Sequence, residues 1–227
     1  MKKTLTLVTL LAGAVAGYSQ GVVVLSEATT GYLQAQIYGP GTATGANQVT
    51  VTYGGYQTTE YQGNSSTSTP AGSAVYTGGA LSGTGFDAQI YGSSVAGDTL
   101  ADLVPETAAS GSSVLHFGTT ATSEGFTKNA VDITMAGLPT GSTGTYAIAA
   151  WNTGGGVDTT LAEAQAAGEP WGFSTLGAVI PANPALGLPD DVTGFNIAVG
   201  SVVSSPEPST IALGVMGISA LLFRRRK

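Results

Sequence analysis

The chain has 227 residues, with seven cations, fourteen acids and no cysteine. The lack of cysteine excludes disulfides, thiolate nucleophiles and cysteine-ligated zinc. Six of the seven cations lie at the two ends, so residues 20–205 hold Lys128 against thirteen acids and carry a formal charge of −12. This balance excludes ordinary nucleic-acid binding, because phosphate recognition needs clustered cations.

The first nineteen residues have the order of a secretory signal peptide. Lys2 and Lys3 form a basic start, residues 4–16 are apolar, and small residues follow as far as Ser19. The Sec translocon and signal peptidase act on such a leader. We expect cleavage after Ser19, with cleavage after Ala16 or an uncleaved anchor as alternatives, and export of the residues that follow.

The exported part contains many short segments typical of strands, separated by glycine-rich turns. In several of them apolar and polar residues alternate, which is the period of a strand with one buried face. The predicted strands cover residues 22–25, 33–38, 49–53, 56–61, 74–77, 86–92, 113–117, 130–135, 145–151, 172–180 and 192–203. Gly54 and Gly55 predict a hairpin turn. Residues 145–151 are apolar at every position but the first two, which predicts a strand central to a sheet.

One short helix is predicted over residues 159–168. A threonine begins it, Glu163 lies near its start, alanines fill it, and Gly168 suits the position that ends a helix. A helix of about two turns is stable only when it packs on the body of the protein.

A pentapeptide, Ala-Gln-Ile-Tyr-Gly, occurs at residues 35–39 and again at residues 88–92. It indicates either two duplicated halves or two strands in similar surroundings. In the second case Ile and Ala would point inward, with Gln and Tyr at the rim.

These elements predict an all-β fold for residues 20–200, an antiparallel β-sandwich with one short helix, followed by a linker over residues 201–205. A disordered, low-complexity chain is the alternative. The recurring Val, Ile, Tyr, Phe and Trp residues favour the folded domain, because they supply a core.

The C-terminal segment, residues 206–227, has three parts. Pro206, Glu207 and Pro208 precede an uncharged run over residues 211–223, and four cations end the chain. The run is short of the roughly 17–25 residues of a full span, so a buried core helix is the alternative. The terminal cations favour a single transmembrane helix with a cytoplasmic end. The expected anchor residues are Ile211, Leu213, Val215, Leu221, Leu222 and Phe223, and the expected cytoplasmic stop is Arg224, Arg225, Arg226 and Lys227.

This order of proline-rich motif, apolar helix and basic end resembles the PEP-CTERM sorting signal of Gram-negative bacteria. The resemblance covers residues 205–227. The segment from the strand over residues 146–151 through the alanine-rich helix to the closing strand also looks like the β-rich domains found ahead of this tail, and that likeness implies no activity. It implies that an exosortase-like enzyme recognises Pro206, Glu207 and Pro208 and removes the tail. It also implies an anchored intermediate in the inner membrane, followed by a cell-surface or extracellular-matrix location among exopolysaccharide. A stiff linker is the alternative interpretation of the motif.

No residue pattern predicts catalysis, a cofactor or a resident metal. His116 is the only histidine, and it lies in an alternating segment without a nucleophile-elbow sequence, so we expect it to face solvent. Three pairs of acids are candidates for the paired carboxylates of a hydrolase, and the first pair also for a structural calcium site, although only their number supports either role. These pairs are Asp190 with Asp191, Asp98 with Asp102, and Glu163 with Glu169. Solvated loop acids are the favoured interpretation.

Aromatic residues are the remaining candidates for a binding surface, because their faces stack on sugars. Trp171, between Pro170 and Gly172, is the best candidate for a glycan contact, although packing against the short helix is favoured for it. Trp151 is expected in the core. The sequence thus predicts a non-enzymatic exported surface or matrix protein. The alternative is a carbohydrate-binding module that interacts with exopolysaccharide.

Overall fold

The structure, a computed structural model, describes residues 20–25 and 33–203. The predicted signal peptide over residues 1–19 and the sorting segment over residues 206–227 lie outside these ranges. Within them the chain forms eighteen strands, two short 3₁₀ turns and one α-helix. The all-β class predicted with one short helix is therefore confirmed.

The strands are numbered in chain order. They are β1 (Gln20–Leu25), β2 (Ile37–Tyr38), β3 (Ala43–Thr44), β4 (Asn47–Tyr53), β5 (Tyr56–Gln62), β6 (Val75–Tyr76), β7 (Phe86–Ser93), β8 (Val104–Pro105), β9 (Thr107–Ala108), β10 (Leu115–His116), β11 (Val131–Pro139), β12 (Gly144–Asn152), β13 (Pro170–Phe173), β14 (Gly177–Val179), β15 (Leu186–Gly187), β16 (Phe195–Asn196), β17 (Ala198–Val199) and β18 (Ser201–Val202). The helix α1 is Leu161–Ala167, and the 3₁₀ turns are Gly83–Gly85 and Leu100–Asp102.

Strand β12 is the centre of a seven-stranded sheet. It pairs with β7 along one edge through eight residue pairs, and with β13 and β14 along the other edge. Every residue of β12 before Asn152 is buried. The prediction that residues 145–151 form a central strand is confirmed, because only a strand covered on both faces can be apolar on both.

The two faces of this sheet point into two separate hydrophobic clusters. Ile90 and Ile148 belong to the first cluster, together with residues of β1 and β11 such as Leu25 and Ile133. The four-stranded sheet β15-β1-β11-β9 supplies those residues. Alternation along one strand thus divides its side chains between two cores.

The second cluster fills the opposite face of the central sheet. Trp151 and Phe173 project from the sheet, while Leu161 and Ala164 come from α1 and Val51 comes from β4. The short helix and the β4–β5 hairpin therefore cover this face, as a two-turn helix requires for its stability.

Local turn and capping signals form as predicted. Gly54 and Gly55 both have positive φ, 61° and 83°, as the tight turn between β4 and β5 requires. The Thr160 hydroxyl accepts from Glu163 N at 3.2 Å, and the Glu163 carboxylate accepts from Thr160 N at 3.0 Å. Gly168 ends α1 in the left-handed conformation.

Two predictions about architecture need correction. The sheets are not wholly antiparallel, because β1 pairs with β15 and β2 pairs with β16 in parallel. The predicted linker over residues 201–205 begins within a sheet, because β18 pairs with β5. Each correction arises from long-range pairing, which periodicity along the chain does not encode.

In the described part of the chain, no helix has the length and apolar character to cross a membrane. The predicted transmembrane run over residues 211–223 lies outside that part.

Candidate functional site

The predicted sorting residues Pro206, Glu207 and Pro208 lie outside the described residues, as do the anchor residues and terminal cations after them. The structure does show how the chain is held shortly before the motif. Strand β18 pairs with β5, and Val203 N donates to Gly55 O at 2.9 Å. Residues 201–203 are therefore part of the folded body.

The structure places Trp171 where it cannot act as an exposed sugar platform. Its side chain is fully buried, at 0 % exposure, in the second cluster, where α1 and the β4–β5 hairpin cover the sheet. Its ring packs edge-on against Phe173 with centroids 6.2 Å apart. The glycan-contact prediction for Trp171 is corrected on this ground, and the packing role that the sequence favoured fits its position. Trp151 is also fully buried, as expected.

Several acids of the predicted pairs accept hydrogen bonds in separate places of the described chain. Asp191 accepts from the Tyr146 hydroxyl at 3.0 Å and from Ala178 N at 2.5 Å, so it ties a loop to the sheet. Asp102 and Glu163 each accept hydrogen bonds at the start of a helical turn. Within residues 20–25 and 33–203, no group of three or more metal-ligating side chains is present.

His116 is held by a carboxylate. It lies on β10 directly opposite Asp87 on β7, and its Nδ1 is 2.5 Å from the Asp87 carboxylate. The His116 side chain is 51 % exposed and that of Asp87 is 7 % exposed. Burial raises the pKa of Asp87, and the contact with His116 opposes that rise. The expectation of a solvent-facing strand histidine is met, with an acid partner that the sequence did not indicate.

The Asp87–His116 pair fixes the orientation of the imidazole. His116 lines a surface hollow together with Ser112, Lys128 and Asn129. The Ser112 hydroxyl in this hollow donates to Val114 O at 2.8 Å. The pair therefore resembles the orienting half of a catalytic triad, whose nucleophile would have to lie at Nε2.

Besides Asp87, two further buried carboxyl groups were not predicted from the sequence. Glu60 has 0 % exposure, and its carboxyl group accepts from Gln62 Nε2 at 3.0 Å and from Phe173 N at 3.3 Å. It packs against Gly172, where a Cβ would lie 2.2 Å from Oε2. Burial raises the pKa of Glu60 well above its ordinary value. The alternation in β5 was the available signal, because it places Glu60 in phase with buried Thr58.

Glu106 is the second missed group. It is 1 % exposed, and its carboxyl group accepts from Ala136 N at 2.8 Å, while the other oxygen has no hydrogen-bond partner among the described residues. Burial raises the pKa of Glu106. No sequence signal indicated its burial, because it lies between the short strands β8 and β9.

The surface of the β4–β5 hairpin carries no charge. From residue 33 to residue 86 the only charged side chain in the sequence is Glu60, which is buried. The outward side chains of the hairpin form three cross-strand pairs. We call these residues the hairpin face: Gln48, Thr50, Thr52, Gln57, Thr59 and Tyr61. Residues 20–205 carry a formal charge of −12, and within them this face is a neutral surface of hydroxyl and amide groups.

Comparison of the chain with protein-family profiles, with curated proteins and with solved structures gave no match. The class of the protein must therefore be inferred from its own residues. The fold defines an all-β protein with one short helix, and the surfaces described above are the candidates for its function.

Proposed function

We propose that this chain is an exported cell-surface or matrix protein, sorted by its C-terminal segment and without enzymatic activity. The observation that carries the proposal is the order of Pro206, Glu207 and Pro208, then an uncharged run, then four terminal cations. Together with the basic, apolar start of the chain, it brackets an acidic β domain with two targeting segments.

The proposed route has two membrane steps. The Sec translocon exports the chain, and signal peptidase removes residues 1–19. The apolar run over residues 211–223 then holds an inner-membrane intermediate, with Arg224, Arg225, Arg226 and Lys227 on the cytoplasmic side. An exosortase-like enzyme recognises the motif and removes the tail. The fixed position of Val203 in the body supports this route, since it leaves the motif just beyond the last strand.

Replacing Pro206, Glu207 and Pro208 together by alanine should prevent processing of the tail. We expect the variant chain to accumulate in the membrane fraction at the higher mass that retains residues 211–227, because the apolar run still inserts. Cell fractionation with mass spectrometry measures this. Alanine at Ser204 and Ser205, just before the motif, is the matched control and should be processed normally. Equal processing of both variants would refute the sorting proposal.

We also propose the finer architecture of the exported domain as a β-sandwich. The four-stranded sheet of β1 and β11 and the central sheet of β7 and β12 share the first hydrophobic cluster. Two sheets that fill one core from facing sides are the defining feature of that architecture.

A second candidate function is binding of exopolysaccharide. The hairpin face favours it, because its neutral hydroxyl and amide groups suit an uncharged glycan and half-buried Tyr61 offers a ring beside Gln48. The protein should then be retained on exopolysaccharide from the producing cells, and Tyr61→Ala should weaken retention while Val157→Ala, at an exposed site outside the hairpin face, should not. Trp171→Ala would not discriminate, because Trp171 is in the core. No retention of the unmodified protein would dispose of this function.

A further inference from the structure

In the chain as described, one edge of strand β4 carries unpaired backbone groups, and the 3₁₀ turn Leu100–Asp102 lies close to the strand. Strand β4 pairs with β5 along seven residue pairs and has no second partner strand within the described residues. Because the two-residue turn makes Tyr53 and Tyr56 a hydrogen-bonded pair, hydrogen-bonded pairs recur at every second position. The backbone N–H and C=O groups of Gln48, Thr50 and Thr52 consequently point away from β5.

This edge lacks the devices that usually prevent pairing with another chain. Exposed edge strands are commonly protected by charged side chains, proline or a β-bulge. Strand β4 has the sequence Asn-Gln-Val-Thr-Val-Thr-Tyr, without charge or proline, and its register with β5 is continuous. Its seven residues also exceed the length of most strands in this fold. The edge is therefore competent for strand addition.

Charge indicates what can approach the edge. The β domain over residues 20–205, with a formal charge of −12, repels a second copy of itself over most of its surface. Repulsion is least where exposed charge is absent, and residues 33–86 show no exposed charged side chain. The hairpins of two copies can therefore approach each other with less electrostatic repulsion than surfaces that carry exposed acids such as Asp132 or Asp190.

We propose that β4 pairs antiparallel with β4 of a second copy, on a two-fold axis at Thr50. In this arrangement Thr50 lies opposite its own counterpart, and Gln48 lies opposite Thr52 of the other copy. The outward backbone groups of both strands are then satisfied by about six hydrogen bonds. The two hairpins become one continuous sheet. The inference stands on the geometry of β4 and does not rest on the sorting signal.

The proposed pairing predicts two very different distances. Cα atoms of a hydrogen-bonded antiparallel pair lie about 5.5 Å apart, so the two copies of Thr50 are within reach of a disulfide. Thr59 is directly opposite Thr50 on β5, on the same exposed face. Its counterpart in the second copy would lie three strand spacings away, at about 14 Å, which is too far for a disulfide.

The chain has no cysteine, so a single introduced cysteine reports on one position. We would express the full chain with Thr50→Cys or Thr59→Cys in cells, oxidise mildly, and separate the products by non-reducing electrophoresis. We expect a disulfide-linked species of twice the chain's mass with Thr50→Cys, at least about tenfold above the Thr59→Cys control.

Adding Thr52→Pro to the Thr50→Cys chain should reduce the dimer severalfold. Proline removes an outward N–H of the edge while being tolerated on an edge strand. Three results would overturn the proposal: no dimer with Thr50→Cys, equal dimer with Thr59→Cys, or an adduct whose mass shows a different protein. These results leave processing at Pro206, Glu207 and Pro208 unaffected, so they are distinguishable from failure of the sorting proposal.

Discussion

Trp151→Ala is expected to lower the free energy of unfolding by about 3–5 kcal/mol, the range for removing a large aromatic side chain from a core. Trp151 is fully buried in the second cluster, between the central sheet and α1. Its indole N–H also donates to Asp158 O at 3.3 Å. The variant therefore loses apolar contacts on both sides and leaves a cavity under the helix. Denaturant unfolding, with equal slopes checked for both proteins, measures the change.

Val157→Ala is the control for this prediction. Val157 is 77 % exposed and lies a few residues along the same connection from β12 to α1. Its truncation should change the free energy of unfolding by less than about 0.5 kcal/mol. A loss below about 1 kcal/mol for Trp151→Ala would show that the second cluster is not a packed core.

Glu60→Gln is expected to remove a large part of the pH dependence of stability. Burial raises the pKa of Glu60 well above its value in the unfolded chain, so the folded state favours the protonated form. The stabilisation from this group is full below the unfolded pKa, about 4.3, and is lost as pH rises through the folded pKa. Across that window the unmodified protein loses about 1.4 kcal/mol per pH unit from this residue alone.

The amide in Glu60→Gln does not ionise, and its oxygen can still accept from Phe173 N. The variant should therefore gain stability relative to the unmodified protein as pH rises from about 4.3. Unfolding curves recorded between about pH 4 and pH 9 measure the difference in the free energy of unfolding between the two proteins. Glu169→Gln, at a half-exposed site, is the matched control and should follow the unmodified protein. Parallel pH profiles for Glu60→Gln and the unmodified protein would contradict a buried carboxyl group.

Local signals predicted local structure well in this chain. The Gly54-Gly55 pair specified the hairpin, the Thr160 and Glu163 cap specified the start of α1, and the apolar run in β12 specified the central strand. Each is a property of a few adjacent residues whose physical effect does not depend on distant partners.

The repeated pentapeptide shows where prediction from local sequence fails. In the first copy, Tyr38 is half-buried and stacks on Tyr76 with ring centroids 4.1 Å apart. In the second copy, Tyr91 is buried in β7 and meets Phe173 edge-on at 5.3 Å. The expected inward and rim positions hold for the first copy only, because the second lies in a sheet that is covered on both faces.

The buried polar groups depend on partners that lie far away in the sequence. Glu60 fits because Gly172, more than a hundred residues later, leaves room for its carboxyl group. Asp87 meets His116 because β7 and β10 are adjacent in one register. Trp171 is buried because α1 and the β4–β5 hairpin cover the face of the sheet from which it projects. The register between strands and the order of strands in the sheet determine the surroundings of these side chains. Neither can be read from composition or from hydrophobic periodicity along the chain.

The intact mass of the protein recovered from the surface of the producing cells tests the sorting proposal most directly. The proposal predicts a chain that begins at Gln20 and lacks both the apolar run over residues 211–223 and the terminal cations. A mature chain that still extends to Lys227 would contradict removal of the tail, and one that begins at Met1 would contradict cleavage of the leader.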